Sequence, residues 1–233
     1  MAAAEEVCSH LPEELLECIF KSLNSHRRTF KSLSVVSKQF LSITNRLRFS
    51  VRITDETIPH LPRLFHRFPN LTSLILTIQC ITVNEVDALL TLISTFPLDI
   101  KSLRLCPKLT NWYIPIPANG LIAFSKTMKN LESLTFYGMS HFYKKDLFLI
   151  ADCFPLLQEL NLIHPRCSNK HDFLVDDNDP LLVLPNLRRI NLSGNVIREP
   201  FVDFLFHNCK LLQEIKIMDR RLEFGIYGKY DRY

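Results

Sequence analysis

The stretch FPNLTSLIL, Phe68 to Leu76, returns five times downstream in altered form. Its spacing of apolar, two others, apolar, one other, apolar decides the fold. The six triplets are Leu71, Leu74, Leu76; Ile100, Leu103, Leu105; Leu131, Leu134, Phe136; Leu157, Leu160, Leu162; Leu187, Ile190, Leu192; and Leu212, Ile215, Ile217. Their first anchors, at 71, 100, 131, 157, 187 and 212, lie 29, 31, 26, 30 and 25 residues apart. A lead-in recurs as well: Phe68-Pro69, Phe96-Pro97, Phe154-Pro155 and Leu184-Pro185 precede four of the triplets. The last two apolar residues of each triplet, two positions apart, point to one face of a short strand. Ser73, Ser102, Ser133, Glu159, Arg189 and Glu214, each just before the second apolar residue, face the other way.

Helical patterns fill the intervals. Thr82 to Glu85 has capping-box spacing and leads into Val86, Leu89, Leu90 and Ile93 on one face. Leu121, Ile122, Phe124, Ser125 and Met128 predict a second face, and Leu147, Ile150, Ala151 and Phe154 a third. Pro200 in a first turn, followed by Phe201, Val202, Leu205 and Phe206, predicts a fourth. The interval between Leu162 and Leu187 departs from this, carrying the polar run CSNKHDFLVDDNDP. A strand-plus-helix unit keeps one apolar side uncovered until a neighbour stacks on it. The expectation is therefore an α/β solenoid, a short arc of about six repeats over residues 51–217, with 218–233 as a tail or incomplete cap.

In this pattern the segment from about residue 50 to 217 resembles the leucine-rich repeat family, in its longer strand-helix variant. The chain departs from that family in one respect. The Asn or Cys usual three residues after the last Leu of the triplet occurs there only as Asn195, in INLSGN. Its equivalents are Gln79, Lys108, Met139, Pro165 and Arg220, with Cys80 one place late. A continuous buried ladder of these side chains is not expected, and the curvature is expected to be irregular. Function in such an array falls to exposed strand residues and flanking loops. Trp112, Tyr113, Tyr137, His141, Tyr143, His164 and Arg166 are the candidates there for contact with a protein target not identified by the sequence. The plainer alternative for each is an ordinary half-buried packing residue.

Residues 1–50 follow another rule. Leu15, Leu16, Ile19, Phe20 and Leu23 fall at helical spacing after Pro12, with Glu13 and Glu14 in the first turn, where the helix dipole favours acids. Phe30, Leu33, Val36 and Phe40 follow at intervals of 3, 3 and 4. Residues 1–20 carry five acids and no base, and residues 21–54 carry eight bases and no acid. LPEELLECIFKSL followed by SLSVVSKQFLSIT resembles an F-box over residues 11 to 45, with Phe40 where that family often has Trp. The linker, with Arg27 and Arg28, is more basic than usual for the family. The resemblance implies a small all-α unit in which Leu11, Pro12, Leu15, Ile19, Phe20, Leu33, Val36, Lys38 and Phe40 dock on a Skp-type adaptor. Through that adaptor the chain would join the cullin scaffold of a ubiquitin ligase, and the repeats would hold the target. The repeat style and short N-terminus look like plant members of the F-box/leucine-rich-repeat group. Without the resemblance, the same helices read as a cap on the open end of the array, and the chain as an interaction scaffold unconnected with ubiquitin.

Composition narrows what remains. With 233 residues, 47% hydrophobic and 22% charged, and only 5 Gly, the chain can bury a core and is neither collagen-like nor of low complexity. A formal charge of +4 demands neither nucleic acid nor anionic lipid as partner. No apolar run reaches the ~18 residues of a membrane span, and MAAAEEVCSHLPEELLECIF has acids where a secretory signal has cations. Seven Cys, an odd number with no CxxC, imply thiols in a reducing compartment, so a cytoplasmic and/or nuclear location is expected. Cys153 and Cys209, just before triplets, suit small buried hydrophobes. GxSxG, HExxH and phosphate-cradling glycine loops are missing. The eight His scatter without ligand spacing, and Asp172, Asp176, Asp177 and Asp179 lack the Gly and Glu of a calcium loop. The expectation is a non-enzymatic adaptor with no catalytic residue, cofactor or metal. A small-molecule sensor is a weaker alternative, since a short arc encloses no ligand.

Overall fold

Helical periodicity at the N-terminus and strand alternation after it become two separate packing units. The computed structural model describes residues 11–23, 27–80, 82–109, 115–138, 142, 144–163, 184–195, 197 and 199–218. By its contacts the chain divides in two: residues up to Val51 with His60–Leu71, and Arg52–Pro59 with Thr72 onward. The helix that follows the first strand thus groups with the N-terminal helices, although the sequence pattern suggests a boundary at residue 50.

The first unit holds α1 (Glu13–Ser22), α2 (Arg27–Leu33), α3 (Lys38–Arg46) and α4 (Leu61–Arg67). Leu16, Phe20, Phe30, Ile43 and Leu47 form its core, with Leu11, Leu33 and Phe40 partly buried against them. The Phe20 and Phe40 rings meet edge to face, 4.9 Å between centroids. Ser37 caps α3, its Oγ accepting from the Phe40 N–H at 3.1 Å. At the other end of α3, the Arg46 guanidinium donates to Glu17 at 2.8 Å and to Glu13, tying α3 to α1. Hydrogen bonds to Glu13 and Glu17 hold that guanidinium above its ordinary pKa. The segregation of acids and bases along residues 1–54 thus fixes how two helices register. Exposed ion pairs of this kind add little stability.

In the second unit the triplets set a parallel sheet. Strands β1 (Ser50–Ile53), β2 (Ser73–Leu76), β4 (Ser102–Leu105), β6 (Ser133–Tyr137), β7 (Glu159–Ile163), β8 (Arg189–Asn191) and β9 (Glu214–Lys216) lie in that order. Two short strands, β3 (Gln79–Cys80) and β5 (Lys108–Leu109), pair in parallel beside it. Register places Leu74, Leu103, Leu134, Leu160, Ile190 and Ile215 in one row. Leu76, Leu105, Phe136 and Leu162 form the row two residues on. Seventeen of the 18 triplet residues are buried. The exception, Ile217, is half-buried just after β9, which has a single neighbouring strand among the described residues.

Parallel neighbours need crossovers, and helices supply them. α5 (Val83–Ser94) leads to β4, α6 (Ala118–Thr127) to β6, α7 (Lys144–Cys153) to β7 and α8 (Glu199–Asn208) to β9. The capping box forms at α5, where the Glu85 carboxylate accepts from the Thr82 N–H at 3.2 Å. Val86, Leu89, Leu90 and Ile93 are buried, as are Leu147, Ile150, Ala151 and Phe154. The α6 face is narrower than its periodicity predicts: Leu121, Phe124 and Met128 are buried, whereas Ile122 is exposed and Ser125 half-buried. Val202 and Phe206 of α8 are likewise only half-buried beside the fully buried Phe201 and Leu205. Residues 164–183, with the polar insertion, lie outside the described residues.

One backbone junction repeats along the sheet. The N–H groups of Lys101 and Ser102 both donate to the Thr72 carbonyl, at 2.8 and 3.0 Å. Residues 132 and 133 do the same on Lys101, 158 and 159 on Glu132, 188 and 189 on Gln158, and 213 and 214 on Arg188. Asn195 donates its side-chain amide to the Leu162 and Leu192 carbonyls, at 2.7 and 3.0 Å, bridging two adjacent segments. At the equivalent places Gln79 and Lys108, backbone pairing of β3 with β5 takes over that task. The loop carbonyls and amides are satisfied either way. Among the described residues the fold is α/β, a seven-stranded parallel sheet with eight α-helices.

Candidate partner-binding surfaces

An amphipathic helix needs one buried stripe, but α1 carries two apolar ones. The stripe of Leu16 and Phe20 enters the core. The neighbouring stripe stays outside: Leu15 is 46% exposed, Ile19 39% and Leu23 44%. On the turn after α2, Val35 is 81% and Val36 63% exposed. Pro12 at the start of α1 and Lys38 at the start of α3 are exposed too. The nine residues marked by the sequence therefore separate into two sets. Pro12, Leu15, Ile19, Val36 and Lys38 offer surface. Phe20 is sealed in the core and offers none, while Leu11, Leu33 and Phe40 divide themselves between core and solvent. Leu23 and Val35 were not singled out for docking, although their place beside the motif was the available signal.

The sheet's outward rows make the second surface. One contains Ser73, Ser102, Ser133, Glu159, Arg189 and Glu214; the next contains Ile75, Arg104, Thr135, Asn161, Asn191 and Lys216, of which Thr135 is buried. These side chains bind one another locally. The Asn161 amide donates to Thr135 Oγ1 at 3.1 Å and to Glu159 Oε1 at 3.0 Å, and Arg189 pairs with Glu159 at 3.5 Å. Tyr137, at the end of β6, is 41% exposed and aligns with Ile163. Trp112, Tyr113, His141, Tyr143, His164 and Arg166 lie outside the described residues.

No protein-family model matches this chain.

Reactive chemistry is sparse among the described residues. No group of three His, Cys, Asp or Glu is placed to hold a metal ion. No described helix is long and apolar enough to cross a membrane. Burial raises the thiols of Cys106 and Cys153, and it pushes Cys209 up from its ordinary 9.0 to about 11. Cys209 is buried and Cys153 half-buried; Cys18 is exposed. The folded chain holds the Cys209 proton more tightly than the unfolded chain does. Its contribution to stability is thus whole below about pH 9 and is lost as pH rises toward 11. Cys209→Ala should make stability fall less between about pH 8 and pH 10.5 than it does in the wild type, read from urea midpoints at each pH. Parallel losses in the two proteins would contradict this.

Proposed function

We propose that this chain is a non-catalytic substrate-recognition subunit of a ubiquitin ligase of the Skp–cullin–F-box type. Residues 11–45 act as an F-box that docks on a Skp-type adaptor, and through it on a cullin. The repeats act as a leucine-rich-repeat solenoid that holds a target protein, in the cytoplasm or nucleus. The observation that supports this is how the first unit divides its apolar residues. Leu16, Phe20, Phe30, Ile43 and Leu47 already make a core, yet Leu15, Ile19, Leu23, Val35 and Val36 remain outward. Surface of that kind suits the apolar groove of a partner. Covering it yields roughly 25 cal/mol per Å² before association costs. Lys38, exposed at the start of α3, would lie at the rim and act mainly on association rate. The chain supplies no reacting group in this reading. It raises the concentration of the target near a ubiquitin-charged enzyme carried elsewhere on the assembly.

Co-purification of the full chain with a Skp-type adaptor tests the proposal. Leu11 packs on the core, so truncating it would mix folding with docking. Ile19→Glu and Val36→Glu are cleaner, because both side chains already face water. Each should lower adaptor retention by at least about tenfold while leaving the melting temperature within about 2 °C of wild type. Tyr137→Ala, on the other surface, should leave adaptor retention unchanged. Wild-type protein that is not retained where a known F-box is retained would favour the scaffold reading, in which the N-terminal helices only cap the array.

A further inference from the structure

The net charge of +4 is not spread over the chain. The first unit, residues up to Val51 with His60–Leu71, carries nine Lys or Arg against five Glu, a formal +4, while the second balances 19 bases against 19 acids. Within the first unit every acid precedes Lys21, and residues 27–51 and 60–71 hold eight bases and no acid. Glu13, Glu14 and Glu17 are its described acids, and Glu13 and Glu17 are bound to Arg46 at the end of α3. The cations of α4 have no such counterpart. Leu61 and Phe65 turn α4 inward, while Arg63, His66 and Arg67 are exposed along it and His60 is exposed just before it. Neither Arg63 nor Arg67 has an ion pair among the described residues. Arg67 is nevertheless held in place. Its Nε–H donates to Asn45 Oδ1 at 3.1 Å, and its guanidinium lies over the Phe68 ring, 5.3 Å from the centroid. The Arg48 guanidinium lies over the same ring at the same distance. One half-buried phenyl ring thus gathers two like charges. Like charges that close repel, and an anion beside them relieves the repulsion.

We propose that Arg48, Arg63 and Arg67, gathered around Phe68, form an interaction surface for an acidic segment of a partner protein, with alternate carboxylates seated on Arg63 and Arg67. Residues four apart on a helix have Cβ atoms about 5–6 Å apart. Alternate side chains of an extended segment lie on one face, roughly 6.7 Å apart, so the two spacings match. With its Nε and ring contact already committed, Arg67 has less freedom to lose when its terminal amino groups meet a carboxylate. A nucleic acid fits less well on two counts. Three guanidiniums make a short track for a polyanion. Bases stack on a bare aromatic face, whereas the Phe68 ring is already overlaid by Arg48 and Arg67. An anionic membrane likewise calls for about four to eight cations close together. The patch is separate from the adaptor surface. α3 runs about 13 Å from Lys38, beside Val36, to Arg46, and Arg67 meets it at Asn45, near the far end. The inference therefore stands apart from the ligase reading.

The probe is a labelled peptide of alternating Glu and Ser, with a Gln-Ser peptide of the same length as control. Both are added to the full chain and followed by fluorescence anisotropy at about 0.15 M salt. The Glu peptide should bind and the Gln peptide should not. Arg63→Gln and Arg67→Gln should each weaken binding about three- to tenfold. Arg67→Lys should recover only part of the loss, since the charge returns without the planar fork. Arg63 has no hydrogen bond or ion pair to lose among the described residues, so Arg63→Gln should keep the wild-type melting temperature within about 2 °C. Lys126→Gln, at an exposed cation of α6 in the other unit, should leave binding unchanged. Absence of binding by the Glu peptide, equal binding of the two peptides, or wild-type affinity in Arg63→Gln would each overturn the proposal. Tighter binding of a single-stranded oligonucleotide or of phosphatidylserine vesicles would overturn it as well.

Discussion

Phe136→Ala should destabilise the protein by about 3–5 kcal/mol, enough to unfold much of it at physiological temperature. Phe136 has no exposed surface, stands in the row with Leu76, Leu105 and Leu162, and packs against Phe142 at 5.9 Å between ring centroids. Its strand β6 has β4 on one side and β7 on the other, so the cavity would open between two neighbours rather than at an edge. Ile217→Ala occupies the corresponding place in the last triplet, is half-buried, and should cost no more than about 1 kcal/mol. Urea denaturation of both variants, with unchanged m-values, measures the contrast. Similar losses at the two positions would mean that the rows do not carry the core.

Gly120→Ala should lower stability by about 1–2 kcal/mol, against the rule for helix interiors. Replacing Gly by Ala inside a helix ordinarily gains up to about 1 kcal/mol, because Gly has more freedom to lose. Gly120 lies in the first turn of α6 where that helix meets α5. A Cβ there would come within 2.8 Å of the Asp87 Cα and 3.0 Å of the Leu90 Cβ. The first of these is backbone and cannot swing aside. The close approach is held by the Gly120 N–H, which donates to Asp87 Oδ1 at 2.6 Å. Separating α5 from α6 would strain both that bond and the packing of Leu90 and Leu121, so overpacking outweighs the propensity gain. A melting temperature for Gly120→Ala above that of wild type would refute this. Asp87→Ala, which removes the bond without a clash, should destabilise less.

The strand rows were legible because a repeated apolar spacing has one economical solution: equivalent positions stack in register and share a core. The five spacings from 25 to 31 residues did not disturb this, since the variation falls in the crossovers. On α6 spacing alone over-reads the face: Ile122 and Ser125 fit a helical stripe, yet Ile122 is exposed and Ser125 half-buried beside the buried Leu121, Phe124 and Met128. The Asn just before a triplet is a further readable signal. Asn130 and Asn186 each precede a triplet, and each donates to the preceding segment, to Asp99 Oδ1 at 2.9 Å and to the Pro155 carbonyl at 3.2 Å. Among the docking candidates, motif spacing could not separate Phe20 from Ile19, neighbours on one helix with opposite fates.

Sequence alone determined where the six triplet strands lie, which residues line their inner side, and that residues 1–50 follow a different rule from the repeats, whereas β1, β3 and β5 carry no such spacing. Those features are local or periodic, and apolar spacing records them directly. Only the tertiary structure decided which of two apolar stripes on α1 stays in water, that Gly120 is a contact rather than a weakness, and that Arg48 and Arg67 share the ring of Phe68. Each of these depends on residues brought together from distant parts of the chain, and no spacing within one segment encodes which partner will be there.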